Sequence, residues 1–274
     1  MPANLQAFNV QCSRKVCTVG DTLHFKIDEF SKKRDYTVTL WDSVLPFYET
    51  GGVLECYAGV PFGTEPGAYT IEVHELKRGK ENKRIDIHVE VSETSFPVDY
   101  LEFTPEKKSK ITAADSMRER KFIDEAYAAR TKRKYWTGDF DIPVKGRISG
   151  VFGATRRSAG EILWVHRGVD IAGGMGSAIN APAAGEVLLA RNDFNMHGKT
   201  VIIDHGLGIV SIYIHLKDIY IKEGDRMERG QLIGHLGNSG LATGPHLHWG
   251  IYVNSVPVDP LKWLGENADT VNKN

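Results

Sequence analysis

Gly244-Pro245-His246-Leu247-His248-Trp249 decides how this chain is read. Its two histidines stand two residues apart. On a β-strand, side chains at i and i+2 share a face, so both imidazoles point one way while Leu247 and Trp249 point the other, into a core. A His-x-His strand suits a metal ion, although solvated or packed imidazoles give the same spacing. Upstream, His166-Arg167-Gly168-Val169-Asp170-Ile171 also reads as a strand, because Gly168 and β-branched Val169 disfavour a helix. Residues 166, 168 and 170 then share a face, and the glycine leaves space between His166 and Asp170. Tyr213-Ile214-His215-Leu216 ends an apolar run, where a single histidine most simply reads as a satisfied core residue.

Taken together these segments point to one chemistry. Catalytic zinc takes three ligands from His and Asp/Glu and keeps a position for water. His166, Asp170 and one of the paired histidines supply that set, and two further imidazoles remain to move protons and steady an oxyanion. A helical zincin is excluded: His74-Glu75 begins its motif, but Arg78 stands where the second histidine belongs.

The 274-residue chain divides into unlike halves. Seven of its ten histidines and 19 of its 28 glycines lie between residues 146 and 250. A net charge of -1 argues against a nucleic-acid-coating protein, and no apolar run approaches the ~20 residues that span a bilayer. The start, Met1-Pro2-Ala3-Asn4-Leu5-Gln6, has neither a basic nor an apolar leader region. Cys12, Cys17 and Cys56 fit no zinc finger; they read as buried small hydrophobes, with a Cys12–Cys17 or Cys17–Cys56 disulfide as the alternative.

The expected fold is mainly β. Residues 1–98 show short alternating runs (22–27, 36–41, 69–73, 85–91) between turn signals, the pattern of an immunoglobulin-like β-sandwich. Residues 99–134 read as a linker with a helix over 111–133. Thr112 and Asp115 form its capping box, and Ile111, Ala114, Phe122, Ala126 and Ala129 its apolar stripe. Residues 105–134 carry ten Lys/Arg against five Asp/Glu, read as a solvated face. Residues 135–264 read as a glycine-punctuated antiparallel sheet, with strands at 187–190, 200–204 and 209–214; residues 265–274 are a polar tail.

From Gly146 to Leu264 the sequence resembles the lysostaphin-type zinc endopeptidases that cut peptidoglycan. Arg147-Ile148-Ser149-Gly150-Val151-Phe152-Gly153 with Arg156 looks like the family's opening motif. His166-Arg167-Gly168-Val169-Asp170, Ile203-Asp204-His205-Gly206, Tyr213-Ile214-His215-Leu216 and Gly244-Pro245-His246-Leu247-His248 follow in the family's order. The resemblance implies that His166, Asp170 and His248 bind one zinc ion and that His215 and His246 are the catalytic pair. It implies peptidoglycan peptides as substrate and a place in the periplasm or extracellular envelope, with a leader already removed. His197, His205 and His235 stand outside the pattern. Gly150 stands where Ser is more usual and Trp249 where Phe is, departures that bear on substrate preference. Residues 1–98 are expected to present substrate, shield the groove or dock an envelope partner, and removal of residues 1–134 to leave a foldable domain. The alternative is a catalytically inactive protein on the same fold that binds wall or activates another hydrolase. A biotinyl or phosphocarrier sandwich explains neither Asp170 nor the joint set.

Overall fold

The computed structural model describes residues 8–103, 112–158 and 161–265. Ile111 of the expected helical stripe and the polar tail beyond Gly265 lie outside them. The chain divides into two compact units, Met1–Thr94 and Ser95–Asn274.

The described residues of the first unit form nine strands: β1 (Val10–Cys12), β2 (Val16–Cys17), β3 (Thr22–Ile27), β4 (Asp35–Leu40), β5 (Ser43–Pro46), β6 (Tyr48–Thr50), β7 (Val53–Gly59), β8 (Gly67–Lys77) and β9 (Lys80–Val91). They form two sheets, ordered β1-β3-β7-β6 and β2-β9-β8-β4-β5. Alternation explains the sandwich: along β3, Leu23, Phe25 and Ile27 are buried while Thr22, His24 and Lys26 face outward. Their apolar faces share one core with Val38 and Leu40 of β4 and Ile71 and Val73 of β8. Cys17 and Cys56 are buried in that core. The edge strand β2 joins β9 in parallel, whereas the other pairings of the two sheets are antiparallel.

The second unit carries β10 (Val98–Tyr100), helix α1 (Ala113–Tyr127) and twelve further strands. These are β11 (Arg147–Gly150), β12 (Thr155–Ser158), β13 (Glu161–Val165), β14 (Val169–Ala172), β15 (Ala178–Asn180), β16 (Gly185–Arg191), β17 (Lys199–Gly206), β18 (Ile209–Ile219), β19 (Arg226–Met227), β20 (Leu232–Leu236), β21 (His246–Val253) and β22 (Val256–Val258). A ten-stranded sheet runs β11-β14-β21-β18-β17-β16-β19, with β15, β20 and β22 branching from it. Its pairings are antiparallel. A small sheet, β10-β12-β13, is joined by the parallel pair β10–β12 and the antiparallel pair β12–β13.

The helix begins as expected: Thr112 Oγ1 accepts from Asp115 N–H, and the Asp115 carboxylate accepts from Thr112 N–H. It ends sooner than the sequence suggests, at Tyr127, while Phe122, Ala126 and Ala129 of the expected stripe pack in the core. Ala114 is exposed, and the face turned inward is Glu119, Ile123, Ala126 and Tyr127. That face packs with Leu189, Phe194, Ile202, Ile212, Ile214 and Tyr252. Tyr127 stacks on Tyr252 with ring centroids 3.7 Å apart. Of the buried residues the stripe left out, Ile123 and Tyr127 are apolar, and Glu119 enters the core because a carboxylate there has donors waiting for it. Among the described residues, no helix is long and apolar enough to cross a membrane.

Candidate metal and catalytic site

Three central strands bring the site together. β14 and β21 pair with Asp170 opposite His248 and Ala172 opposite His246. Residues directly opposite share a face of the sheet, so His246, His248 and Asp170 project together. Leu247 and Trp249 are fully buried on the other face, as alternation requires. His166 does not sit on the strand the sequence predicts, since β14 starts at Val169. It lies instead in the irregular segment after β13, where its N–H donates to Ala154 O (2.9 Å) and its carbonyl accepts from Gly153 N–H (2.8 Å). Gly168 keeps the way open, because a Cβ there would lie 2.4 Å from Trp249 O and 2.8 Å from His248 Nε2.

His166 Nε2, Asp170 Oδ1 and His248 Nδ1 form a near-equilateral triangle with edges of 2.8–2.9 Å. His166 Nδ1 lies 2.8 Å from both Val151 O and Arg156 Nη2; in the tautomer that donates to Val151 O, Nε2 keeps its lone pair inward. Two lone-pair atoms and a second imidazole nitrogen therefore converge with at most one proton to share among three edges. A cation satisfies all three at once, so this donor set fits a metal ion of zinc type. Burial opposes ionisation of Asp170, yet the facing imidazoles of His166 and His248 hold its carboxyl well below the usual carboxylate range. Burial pushes His248 down to about 4, against the pull of Asp170, so it is neutral and available as a ligand.

His215 reaches the same place by a different route. Ile212 and Ile214 face α1, whereas Ser211 and Tyr213 face the opposite core. Strict alternation would put His215 with Tyr213, away from the site. Between Lys199↔Leu216 and Val201↔Tyr213 the register of β17 and β18 slips by one residue, and His215 adopts φ 67°. A bulge with a left-handed residue re-aims the side chain. Its Nδ1 then donates to Ser239 O (2.8 Å), and its ring centroid lies 4.8 Å from that of His246. His246 Nδ1 donates to Gly244 O (2.9 Å), and its Nε2 lies 3.8 Å from Asp170 Oδ1. Burial and the neighbouring imidazoles of His246 and His248 push His215 well below its ordinary value.

The remaining histidines of the cluster lie apart. His205 is buried behind the sheet, donating to Ala184 O and accepting from Ser211 Oγ, each at 2.8 Å. His197 pairs with Glu119 (2.7 Å) and His235 with Asp218 (2.9 Å).

The family model for peptidase family M23 matches residues 164–260. Residues 164–260 are an M23 peptidase domain. The peptidoglycan DD-endopeptidase ShyA of Vibrio cholerae is 36% identical over 124 residues, 45% of this chain and 29% of that protein. The murein hydrolase activator NlpD of Escherichia coli is 32% identical over 122 residues, 44% of this chain and 30% of that protein. This chain thus matches less than a third of the length of these curated relatives. A Pseudomonas aeruginosa crystal structure described as a peptidase M23 superposes with a TM-score of 0.67 at 28% identity, covering 90% of this chain and 95% of that one.

All five sequence-predicted site residues lie inside the M23 domain and come together. Two residues that sequence reasoning passed over support it from outside. Glu119 of α1, fully buried, accepts from the N–H groups of Asn195, Met196 and His197. Asp99 of β10 binds Arg156, whose other nitrogen binds Asp170. Neither carries a local signal, because its partners lie about 57–78 residues away in the chain.

Proposed function

We propose that the protein is a zinc-dependent peptidoglycan endopeptidase. In this reading His166, Asp170 and His248 hold one zinc ion. His215 and His246 divide between them acceptance of a proton and stabilisation of the oxyanion. The observation that carries it is the convergence of three ligand atoms at 2.8–2.9 Å beside two imidazoles whose Nδ1 atoms are both committed to backbone carbonyls. A zinc ion bound there supplies a Lewis acid and lowers the pKa of its water toward neutrality.

The chain's own residues do the rest. Because Ser239 O and Gly244 O each take an Nδ1–H, His215 and His246 both keep a lone pair on Nε2, the form that accepts a proton. The same carbonyls hold the two rings in place, so little reorganisation is needed when charge develops at the scissile amide. The DD-endopeptidase relative supports a peptide cross-link of cell-wall murein as the substrate, and an envelope location with it. The second reading is a wall-binding or hydrolase-activating role, which the NlpD relative favours. The intact set of five residues weighs against it.

Metal analysis and digestion of purified cross-linked peptidoglycan, with products read by mass, separate the two. The expected result is about one zinc per chain and release of cross-linked peptides. His248→Ala loses both zinc and cleavage, while His246→Ala keeps zinc and loses cleavage. One tightly held zinc without cleavage of any wall chemistry would leave the activator reading standing.

A further inference from the structure

Arg156 is a buried cation, 4% exposed, held between two carboxylates from different parts of the chain. Its Nη1 donates to Asp99 Oδ2 at 2.8 Å, and its Nη2 donates to Asp170 Oδ2 at 2.7 Å and lies 2.8 Å from His166 Nδ1. Asp99 and Arg156 stand in register on the parallel pair β10–β12, so the first contact is fixed by the sheet itself. Gly150 lies opposite Asp170 on β11 and gives the guanidinium its passage. A Cβ there would lie 2.4 Å from Nη2 and 2.5 Å from Asp170 Oδ2. The glycine departure in the opening motif is thus a clearance for Arg156 next to the ligand carboxylate.

A carboxylate has two oxygens and can turn about its bond to Cβ. With Oδ2 taken by Arg156, Oδ1 is the oxygen left facing His166 Nε2 and His248 Nδ1, each 2.9 Å away. An unanchored guanidinium is a poor stop because its long stem has rotamer freedom to lose. Asp99 removes that freedom from the far side.

Resting on the metal reading above, we propose that Asp99 and Arg156 are positioning residues for the metal. Arg156 sets which oxygen of Asp170 faces the ligand triangle, and Asp99 sets Arg156. The working unit of this enzyme therefore begins upstream of the M23-matched stretch, at the strand that carries Asp99.

The test uses the full chain with Asp99→Asn, Arg156→Lys and the double variant. The readouts are zinc dissociation constants from chelator competition, apo-protein unfolding midpoints, and hydrolysis at saturating zinc. Partners that orient metal ligands typically contribute 10–100-fold in affinity. The expected result is a zinc dissociation constant raised about 10–100-fold in each single variant. The double variant is no weaker than Arg156→Lys alone, since Asp99 acts only through Arg156. Hydrolysis recovers at saturating zinc. Asp99→Asn is isosteric and its side chain is one-third exposed, so its apo midpoint stays within a few degrees of the parent even if Arg156→Lys folds poorly. If the parent holds one zinc and Asp99→Asn binds it equally tightly, or if the two losses multiply in the double variant, the positioning role is overturned. A lower midpoint with unchanged zinc affinity makes the pair a structural salt bridge and also overturns it. A parent chain that binds no zinc refutes the metal reading itself.

Discussion

Glu119→Gln is the substitution that reports most directly on how the helix supports the site. Glu119 is fully buried and carries four donors on two oxygens. Oε1 accepts from the N–H groups of Asn195 and Met196, and Oε2 from the N–H of His197 and from its ring Nδ1 at 2.7 Å. Glutamine keeps the shape but offers one acceptor oxygen, and its NH2 group then meets two of those donors. Two charge-assisted hydrogen bonds are lost in a dry site, each worth about 1.5–3 kcal/mol, so a destabilisation of about 3–6 kcal/mol is expected. That is a large share of a typical 5–15 kcal/mol. The loop it holds continues into the site: His197 O accepts from His215 N–H (3.1 Å), and Met196 O from Leu241 N–H (2.8 Å), two residues beyond the carbonyl that orients the His215 ring. Hydrolysis should fall at least about tenfold, since small misplacements of a reacting group cost that much. Zinc content should hold at one per chain because the ligand triangle takes no bond from this loop.

Urea unfolding at several pH values, with hydrolysis rates alongside, is the assay. Burial opposes ionisation of Glu119, but His197 and the backbone N–H groups win and hold its carboxyl below the usual range. A depressed carboxylate contributes stability that is present above its unfolded pKa, near 4.3, and is lost as pH falls through the folded value. The gap between parent and variant should therefore be full at pH 7 and narrow below about pH 4. A loss under about 1 kcal/mol at pH 7 with unchanged turnover would refute the reasoning.

Three further outcomes follow from the same structure. Burial pushes His205 down to about 4, so the unfolded chain binds the extra proton first. Stability should be full above pH 6.5 and fall by about 3 kcal/mol between pH 6.5 and 4, and a stability–pH slope unchanged in His205→Asn would count against this. Gly150→Ala should displace Arg156 or Asp170 and weaken zinc binding by about tenfold or more by calorimetry; equal affinity would show that the clearance is not used. Deleting residues 1–94 should leave a cooperative thermal transition for the second unit. Deleting 1–134 strips β10 from β12, and α1 from Leu189, Phe194, Ile212 and Tyr252, and should give an aggregating or much less stable fragment. A soluble, zinc-loaded 135–274 fragment as stable as 95–274 would contradict the packing argument.

The motif-bearing strands were legible because their signals are local. Alternation in 246–249 places two histidines on one face and two core residues on the other, and the capping box announces the start of α1 whatever lies around it. Glycine punctuation marks the turns of the C-terminal sheet, and strands β3, β17 and β18 fall close to where their patterns put them. Local pattern misleads where a chain departs from its own period. His166 stands in the irregular segment before β14, bonded to residues 153 and 154, and the buried face of α1 takes in a carboxylate because Glu119 satisfies donors contributed by residues 195–197.

The sequence by itself determined the β character of the chain, the order of its motifs and the types of residue gathered at the site, since these depend on side-chain chemistry and on periods of two and 3.6 residues. Only the tertiary structure decided which way His215 points, because a one-residue bulge against β17 reverses the face that alternation assigns. Only it brought Asp99 and Glu119 to the site, because each is fixed by a partner distant in the chain, and a contact of that kind is set by sheet register and helix packing rather than by any neighbouring residue.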